Sequence, residues 1–427
     1  MKFMTLSAIS LPVFLGLASS LSQAQAQLPW GDRFVHGSPE QVGISAERLQ
    51  ASTDGLQDFI DRGEIAGAVA AVIKDGRLVY AQALGLQDRD NEVPMTVDSL
   101  FRTYSMTRPV TALGIIMLHD RGLLNVNDPL IKYLPEFGNQ RVLSNAGSMD
   151  VKASRERRGE ITLAQLLTHT SGIGSRSSAL YRQYNVHRYD QTLEQVVDNV
   201  AALPLFEDPG TAYRYGMHAE ILGRVIEQVS GMEIDAFFEQ WIFEPLKMTD
   251  TVFYVDEQRA ARLATVYRKD DAGSLRAHEM ENIPVTNRRA LKSAGVGLVS
   301  STADFLRFSL MLLNEGRIDG QQIISAEAAQ MMAVNAVPDE LLPLGGSGYW
   351  AGSGWSLGGM AVVMDPSAYN HTVSPGEYWW DGSAGTRYWI DPVENMITII
   401  MAQVSPASGG GFREQFKTDV YESLQRQ

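Results

Sequence analysis

The sequence predicts an α+β fold, in which one antiparallel sheet built from both ends of the chain is flanked by helices and interrupted by a mostly helical lobe. Two strand-like segments lie near the N-terminus, and Gly-rich, strand-like sequence returns after Gly295. Between them, from about residue 123 to 287, the pattern is mostly helical. We therefore expect a single domain over residues 27–427, with the sheet part at about 38–103 and 290–427 and the helical lobe at about 104–289.

Capping and turn residues mark the ends of the predicted N-terminal elements. Ser45 is predicted to cap a helix over about 46–62. Segments 68–74 and 77–86, rich in Val, Leu, Ile and Ala, flank Asp75-Gly76, which is the strongest short-range signal for a hairpin. Residues 105–119 are apolar almost all round and predict a buried helix, which a cap at Gly122 would end.

The later elements follow the same rules. An apolar face at 221–229 predicts a helix that ends at Gly231, and a further helix is predicted at 412–425. Residues 379–391 and 396–403 predict strands of the sheet. The charged segment 152–160 is predicted to be a solvated loop. The Gly-rich segment 345–359 lacks the lysine of a phosphate loop and is predicted to be a long loop near the site.

The first residues indicate export. Met1-Lys2 precedes an apolar stretch from about Leu6 to Leu21, and Ala24-Gln25-Ala26 is a small-x-small cleavage site. We expect a signal peptide over 1–26, cut after about Ala26, and a periplasmic or secreted protein. A membrane anchor is the alternative, but a span needs about 20 uninterrupted apolar residues, so we expect no integral membrane segment in the mature chain.

Composition excludes several classes of partner and chemistry. The net charge of −14 argues against nucleic acid and anionic membrane surfaces. The absence of cysteine excludes disulfides, thiolate metal sites and cysteine nucleophiles. Seven scattered histidines give no metal-binding spacing, so no metal or cofactor is predicted. The oligomeric state is not predicted.

Ser105-Met106-Thr107-Arg108 nearly matches a catalytic motif in which a serine is followed three residues later by a lysine. A serine near a helix N-terminus lies beside unpaired backbone N–H groups, which favour developing negative charge. In this motif, Ser-x-x-Lys, the lysine can take the serine's proton. Arg108 cannot, because a guanidinium does not deprotonate in proteins. From these four residues alone, a helix cap at Ser105 is the alternative.

Further motifs follow Ser105 in a fixed order along the chain. They are Phe101 to Thr107 with Pro109, Asp128-Pro129, Tyr133 to Pro135, Ile161 to Leu163, Leu166 to Gly172, Pro209-Gly210, Tyr213 to Gly216, Gly295 to Leu298 and Trp380 to Thr386. With these motifs the sequence, from about Gly43 to Gln403, resembles the serine β-lactamase-like family of penicillin-recognising hydrolases. Within that family it is most similar to class C β-lactamase-like esterases and D-amino-acid peptidases, so the resemblance implies a β-lactamase/transpeptidase-like fold.

The resemblance also implies roles for single residues. Ser105 becomes the acylated nucleophile, and Tyr215 becomes the tyrosine of the family's Tyr-x-Asn element, a base or proton shuttle. Trp380-Asp381-Gly382 falls where β-lactamases have Lys-Thr-Gly. Gly382 therefore belongs to the strand motif, and Ser383 after it donates the second oxyanion N–H, the first being that of Ser105.

Two departures from the family pattern affect the mechanism. Arg108 replaces the lysine, and Met217 replaces the asparagine of Tyr-x-Asn. A permanent cation close to Tyr215 would stabilise its phenolate and lower its pKa from about 10, which makes Tyr215 the sole base. His218 is expected to be structural, because one further residue along a helix turns a side chain by about 100°. His169, in the Leu-Leu-Thr-His run, is expected to serve in helix-end hydrogen bonding.

The strand motif also bears on substrate. A lysine there would bind a carboxylate, whereas Trp380 offers an apolar wall and favours uncharged esters or small amides. Arg387 could restore anion recognition or be a solvated surface residue, and Asp381 could pair with Arg108. We therefore expect an exported serine hydrolase, a carboxylesterase or β-lactamase-like enzyme that acts through an acyl-enzyme at Ser105. A catalytically impaired binding or regulatory module and an acyltransferase are the alternatives.

Overall fold

The computed structural model describes residues 29–278, 285–286, 291–344, 348–407 and 411–425. Within them, the strands are β1 (Val35–His36), β2 (Gly67–Lys74), β3 (Arg77–Asp88), β4 (Val93–Pro94), β5 (Leu100–Arg102), β6 (Val142–Leu143), β7 (Ser154–Arg155), β8 (Tyr267–Lys269), β9 (Leu275–Ala277), β10 (Val299–Ser301), β11 (Arg317–Ile318), β12 (Gln321–Gln322), β13 (Ser353–Trp355), β14 (Ala361–Val363), β15 (Tyr378–Asp381), β16 (Arg387–Asp391) and β17 (Met396–Ala402).

The α-helices of the same residues lie mostly between β5 and β13, apart from the first and the last. They are α1 (Ala46–Asp61), α2 (Thr107–Asp120), α3 (Leu163–Leu167), α4 (Ala179–Gln183), α5 (Leu193–Ala201), α6 (His218–Ser230), α7 (Ile234–Phe238), α8 (Glu244–Leu246), α9 (Glu257–Ala260), α10 (Thr302–Leu313), α11 (Ala326–Ala333) and α12 (Phe412–Glu422). Short 3₁₀ turns at Tyr104–Met106 and Gly348–Trp350 flank the site described below.

The main sheet joins the two ends of the chain, as the sequence predicts. Its order is β1-β3-β2-β17-β16-β15-β14-β13, with β4 pairing on β3. Strand β17 pairs antiparallel with β2 from Met396 opposite Lys74 to Ala402 opposite Ala68. The sheet departs from the predicted antiparallel arrangement at β1, which pairs parallel with β3.

The predicted hairpin is present, and its turn has the geometry that Asp-Gly favours. Lys74 pairs with Arg77, while Asp75 and Gly76 between them have φ of 51° and 72°. Two consecutive positive φ values are those of a type I′ turn, whose twist matches the twist of the two strands.

Helix α2 is the buried helix that the apolar segment predicts. From Thr107 to Leu118 each residue except Arg108 is buried. The helix packs closely on α6 and α7 at Gly114, where an added Cβ would lie 2.8 Å from Ile226 Cδ1 and 3.1 Å from Phe237 Cε1. Position 114 therefore has no room for a side chain. Arg108, which is not buried in the helix, faces the site described below.

Two predicted loops contain strands. Segment 152–160 includes β7, which pairs with β6, and Arg155 makes a two-pronged bond to Asp208 at 2.9 and 2.7 Å. Of the segment 345–359, residues 345–347 lie outside the described residues, but β13 is an edge strand of the main sheet. The charge density of the first segment and the glycine content of the second gave no strand signal.

The expected signal peptide, residues 1–26, lies outside the described residues, as does the expected boundary of the helical lobe near 289–290. No helix in the part of the chain that the structure covers is long and apolar enough to span a membrane.

Gly114 provides a test of the packing of α2. Alanine gains up to about 1 kcal/mol of helix propensity, but overpacking a filled core costs about 1–3 kcal/mol. We expect Gly114→Ala to lose about 1 kcal/mol of unfolding free energy in urea denaturation. Gly138→Ala is the control, because a Cβ at this exposed position meets nothing within 4 Å. A Gly114→Ala protein as stable as Gly138→Ala would contradict the packing.

Candidate active site

Ser105 lies in a tightly held turn between β5 and α2. Tyr104, just before it, has φ of +46°, a strained conformation for a residue with a side chain. The turn is held from both sides by Leu298, whose carbonyl accepts from Thr103 Oγ1 at 2.8 Å and whose N–H donates to Thr107 Oγ1 at 3.1 Å. Helix α2 begins at Thr107, after Ser105, and its N-cap residue Met106 makes no side-chain cap bond. The helix-cap alternative for Ser105 is therefore wrong.

The strand motif reaches the Ser105 turn because Gly382 has no side chain. A Cβ at Gly382 would lie 2.4 Å from the carbonyl oxygen of Thr103 and 2.3 Å from Thr386 Oγ1. Any other residue would push the end of β15 away from the turn. Ser383, the residue expected to donate an oxyanion N–H, follows directly and is exposed, and its carbonyl accepts from Ala407 N–H at 3.1 Å.

Arg108 binds the Tyr215 segment. Its Nη1 donates to the Gly216 carbonyl at 2.9 Å, and its Cζ lies 4.3 Å from the centroid of the Tyr215 ring. A guanidinium over an aromatic face is attracted by the ring's quadrupole, more strongly when both groups are shielded from water. Arg108 thus connects the helix that follows Ser105 to the segment that carries Tyr215.

The Tyr215 hydroxyl is buried, and its pKa is raised rather than lowered. Burial is the largest cause, because it disfavours the phenolate, and the charge of Asp381 adds to it. Arg108, Ser105 and Trp380 each lower the pKa, so the effect expected of Arg108 is present but is outweighed. Within the described residues the hydroxyl makes no hydrogen bond of ordinary length. Ser105 and Trp380 are nevertheless near enough to act on it.

Asp381 does not pair with Arg108. Its Oδ2 accepts from Arg413 Nη1 of α12 at 2.8 Å and from the Tyr349 hydroxyl. Strand alternation explains this, since Trp380 contacts Tyr215 while its neighbour Asp381 contacts Arg413 and Tyr349. The prediction that Asp381 could offset the charge of Arg108 is wrong.

Arg387 is neither an anion receptor nor a solvated surface residue. It is 2% exposed, and its Nη1 donates to Glu414 Oε1 at 2.8 Å. Its guanidinium carbon lies 3.8 Å from the Trp379 ring centroid and 4.9 Å from that of Trp389. Sequence reasoning could not find this environment, because Glu414 belongs to α12.

Two histidines lie behind Tyr215. The Nδ1 atoms of His169 and His218 are 2.8 Å apart, and the His169 ring centroid is 4.6 Å from that of Tyr215. Burial, aided by the charge of Arg108, lowers the pKa of His218 to about 3. Burial, His218 and Arg108 also hold the pKa of His169 well below its usual range. Both rings are therefore neutral at ordinary pH, and Arg108 is the cation at this position.

The backbone of the histidine run also matches its expected structural role. His169 N–H donates to Leu166 at the end of α3, and its carbonyl accepts from Arg214 N–H at 2.8 Å, one residue before Tyr215. Met217, in place of the family's asparagine, is buried and its N–H bonds to the Gly174 carbonyl at 2.9 Å. The position that an asparagine amide would use is occupied by an apolar side chain.

An aromatic cluster surrounds Tyr215. Trp380 lies 5.5 Å from the Tyr215 ring, packs edge-on against Trp355 at 4.4 Å, and stacks with Trp350 at 5.6 Å, all between ring centroids. Trp355 and Trp350 were not among the predicted site residues. The signal that could have found them is the Gly-rich segment, which was expected near the site but carries no spacing that identifies its tryptophans.

No group of three or more His, Asp or Glu residues in the described ranges is arranged to hold a metal ion.

Comparison with known proteins identifies the family. The family model described as Beta-lactamase matches residues 53–420. Protein Rv1367c of Mycobacterium tuberculosis (strain ATCC 25618 / H37Rv) is 32% identical over 367 residues, which cover 84% of this chain and 90% of the relative. Esterase EstB of Burkholderia gladioli is 25% identical over 393 residues, covering 86% and 93%.

A solved structure agrees with the sequence comparisons. The structure of EstCE1, described as a hydrolase with promiscuous acyltransferase activity, superposes with a TM-score of 0.74 at 25% identity, covering 88% of this chain and 98% of that one. The fold is accordingly β-lactamase/transpeptidase-like, as predicted, and the chain belongs to the beta-lactamase family.

Proposed function

We propose that this protein is an exported serine hydrolase that cleaves uncharged ester or small amide bonds through an acyl-enzyme at Ser105. The observation that carries the proposal is geometric: Arg108, three residues after Ser105, holds its guanidinium 4.3 Å from the Tyr215 ring, and Trp380 lies 5.5 Å from the same ring. The lowering of the Tyr215 pKa by Ser105 supports the same arrangement. This is the arrangement that an activated nucleophile needs, with a proton acceptor beside it and a third group that holds the acceptor in place.

In the proposed reaction, Ser105 Oγ attacks the carbonyl carbon and its proton passes to the Tyr215 phenolate. The tetrahedral intermediate then expels the alcohol or amine, which takes the proton from Tyr215. Water attacks the acyl-Ser105 ester by the same proton route and releases the acid. The N–H groups of Ser105 and Ser383 are the candidates for stabilising the oxyanion in both halves.

Because arginine cannot act as the base in place of lysine, the proposed reaction depends on the small fraction of Tyr215 that is deprotonated. A phenol of ordinary pKa, about 10, is only about 1% ionised at pH 8. Burial raises the pKa of Tyr215 and makes that fraction smaller, while Arg108 opposes the rise. The enzyme should therefore be slow at neutral pH and faster in alkali.

The substrate class follows from the strand motif. Trp380 presents an indole where a lysine would bind a carboxylate. The arginines around the motif are engaged: Arg387 by Glu414, Arg413 by Asp381, and Arg108 by the Gly216 carbonyl and the Tyr215 ring. The site therefore favours uncharged substrates, in keeping with an esterase among the relatives. Residues 1–26 support the proposed export.

Acyl transfer to an alcohol is the second candidate, and the description of EstCE1 favours it. The acyl-Ser105 intermediate would be the same, and an alcohol would replace water in the second half. Adding methanol to an ester assay separates the two, because a transferase forms the methyl ester in preference to the acid.

The hydrolase proposal predicts turnover that depends on Ser105. We expect purified protein to hydrolyse a short-chain p-nitrophenyl ester and to gain one fluorophosphonate adduct by intact-mass spectrometry. Ser105→Ala should lose about 10³-fold or more of kcat/KM and the adduct. Ser274→Ala, an exposed serine in the β8–β9 turn, is the control. Neither turnover nor an adduct in the wild type would leave the binding module as the better account.

The raised pKa of Tyr215 predicts the shape of the pH profile. Since the base is the deprotonated form, kcat/KM should rise from pH 7 to 9.5 without reaching a plateau. Arg108 lowers this pKa, so Arg108→Gln should move the rise to higher pH and reduce kcat/KM at pH 8, about tenfold for each pH unit that the profile moves. Arg121→Gln is the control, because Arg121 makes a similar contact to Trp241 away from the site. A profile flat across this range, or unchanged in Arg108→Gln, would contradict Tyr215 as the base.

A further inference from the structure

Trp350 packs on the residues of the proposed site without belonging to any family motif in the chain. Its ring centroid lies 5.6 Å from Trp380, with the planes 19° apart, 6.1 Å from Tyr215 and 5.5 Å from Tyr213. It is half-buried, whereas Trp380 is 2% exposed. Trp350 therefore covers one side of the cluster and keeps part of its own surface open.

The turn that carries Trp350 is fixed to the end of β15 by its neighbour. The Tyr349 hydroxyl donates to Asp381, which Arg413 also binds, while the Tyr349 side chain is 43% exposed. The Tyr349 ring also meets Trp350 edge-on at 5.0 Å. The hydrogen bond from Tyr349 to Asp381 thus holds the turn that carries Trp350 against the end of β15. It can be removed by a substitution at Tyr349, without substituting Ser105 or Tyr215.

A buried polar atom beside Trp350 lacks a partner. Within the described residues, Tyr213 Oη is buried without a hydrogen bond, and the Tyr213 ring contacts the Trp350 ring. Trp380 Nε1 is a different case, because Trp380 acts on the Tyr215 hydroxyl. An unsatisfied buried donor destabilises the protein, and a substrate oxygen that accepts from it would offset that loss. The acid on the strand motif, Asp381, is already neutralised by Arg413.

We propose that Trp350, backed by the buried Trp380 and beside Tyr213, forms a subsite for a flat, uncharged ring carried by the ester, with Trp350 as the residue that determines this specificity. The open part of the Trp350 indole supplies stacking, and the unpartnered Tyr213 Oη–H donates to an ester oxygen next to the ring. The proposal rests on the hydrolase function proposed above, and it narrows the substrate class to esters with an aromatic or similarly planar ring on one side.

Matched ester pairs test which side bears the ring. Benzyl acetate against butyl acetate places it on the alcohol, and methyl phenylacetate against methyl pentanoate places it on the acyl group. For one pair the wild type should prefer the ring by about tenfold or more in kcat/KM. Since an aromatic contact contributes beyond its buried area, Trp350→Ala should abolish most of this ratio, mainly through KM, and Trp350→Phe should keep part of it.

Two further variants make the result specific. Tyr349→Phe removes the hydrogen bond to Asp381 but keeps the Trp350 side chain. The turn is then held less firmly, so the variant should reduce the same kcat/KM ratio by a smaller factor than Trp350→Ala. Trp241→Phe alters a tryptophan stacked on Phe237 outside the cluster and should leave the ratio as in the wild type. Trp350→Phe keeps a ring in the cluster, so its melting temperature should stay near that of the wild type. The melting temperature of Trp350→Ala shows whether a lost preference reflects a lost contact or a lost fold.

A binding measurement keeps the inference separate from the proposed function. Phenylacetone and 2-pentanone are ketones that cannot be hydrolysed, and saturation-transfer NMR should detect tighter binding of phenylacetone to the wild type than to Trp350→Ala. If no ester is turned over but this difference is found, the hydrolase function fails and the subsite stands. Two results would overturn the subsite. One is a wild type with no preference for the ring-bearing ester or ketone. The other is a Trp350→Ala protein whose kcat/KM for all the esters and whose binding of both ketones fall by the same factor.

Discussion

The contact between Arg108 and the Tyr215–Gly216 segment is the interaction on which the site depends. Arg108 is the one residue in the first three turns of α2 that is not buried, and its guanidinium spans from that helix to a ring face and a carbonyl oxygen. A lysine ammonium is a compact point charge on a flexible stem, whereas a guanidinium is planar and stacks on aromatic rings. The substitution that removes a general base therefore also supplies a rigid clamp.

In the proposed mechanism, the contact with Arg108 makes Tyr215 the group whose ionisation decides the chemistry. Burial raises its pKa, and Arg108, Ser105 and Trp380 oppose the rise. The two histidines behind it stay neutral, because burial and the nearby guanidinium both disfavour a second positive charge. The guanidinium of Arg108 keeps its charge across the accessible pH range, so in the proposed mechanism the ionisation of Tyr215 sets the pH dependence.

The sequence predicted the features that depend on a few neighbouring residues, and it did not predict contacts between distant parts of the chain. The Asp75-Gly76 turn and the buried helix after Ser105 were predictable, since turn chemistry and apolar periodicity act over a few residues. The fold was predictable from the family motifs. The partners of Asp381 and Arg387 could not be predicted, because they include residues of α12 that packing brings to the sheet. The sign of the Tyr215 pKa shift was wrong for a related reason: the charge of Arg108 is visible in the sequence, but the burial that outweighs it is not.

The central claim, that Tyr215 accepts the proton of Ser105 while Arg108 holds it in place, is tested most directly by the rate of a single chemical step. Fluorophosphonate labelling under single-turnover conditions measures attack by Ser105 without substrate turnover. The account predicts that the wild-type labelling rate rises with pH from 7 to 9.5, and that Tyr215→Phe labels about 100-fold more slowly with no such rise. A Tyr215→Phe protein labelled at the wild-type rate, with the wild-type pH dependence, would contradict it.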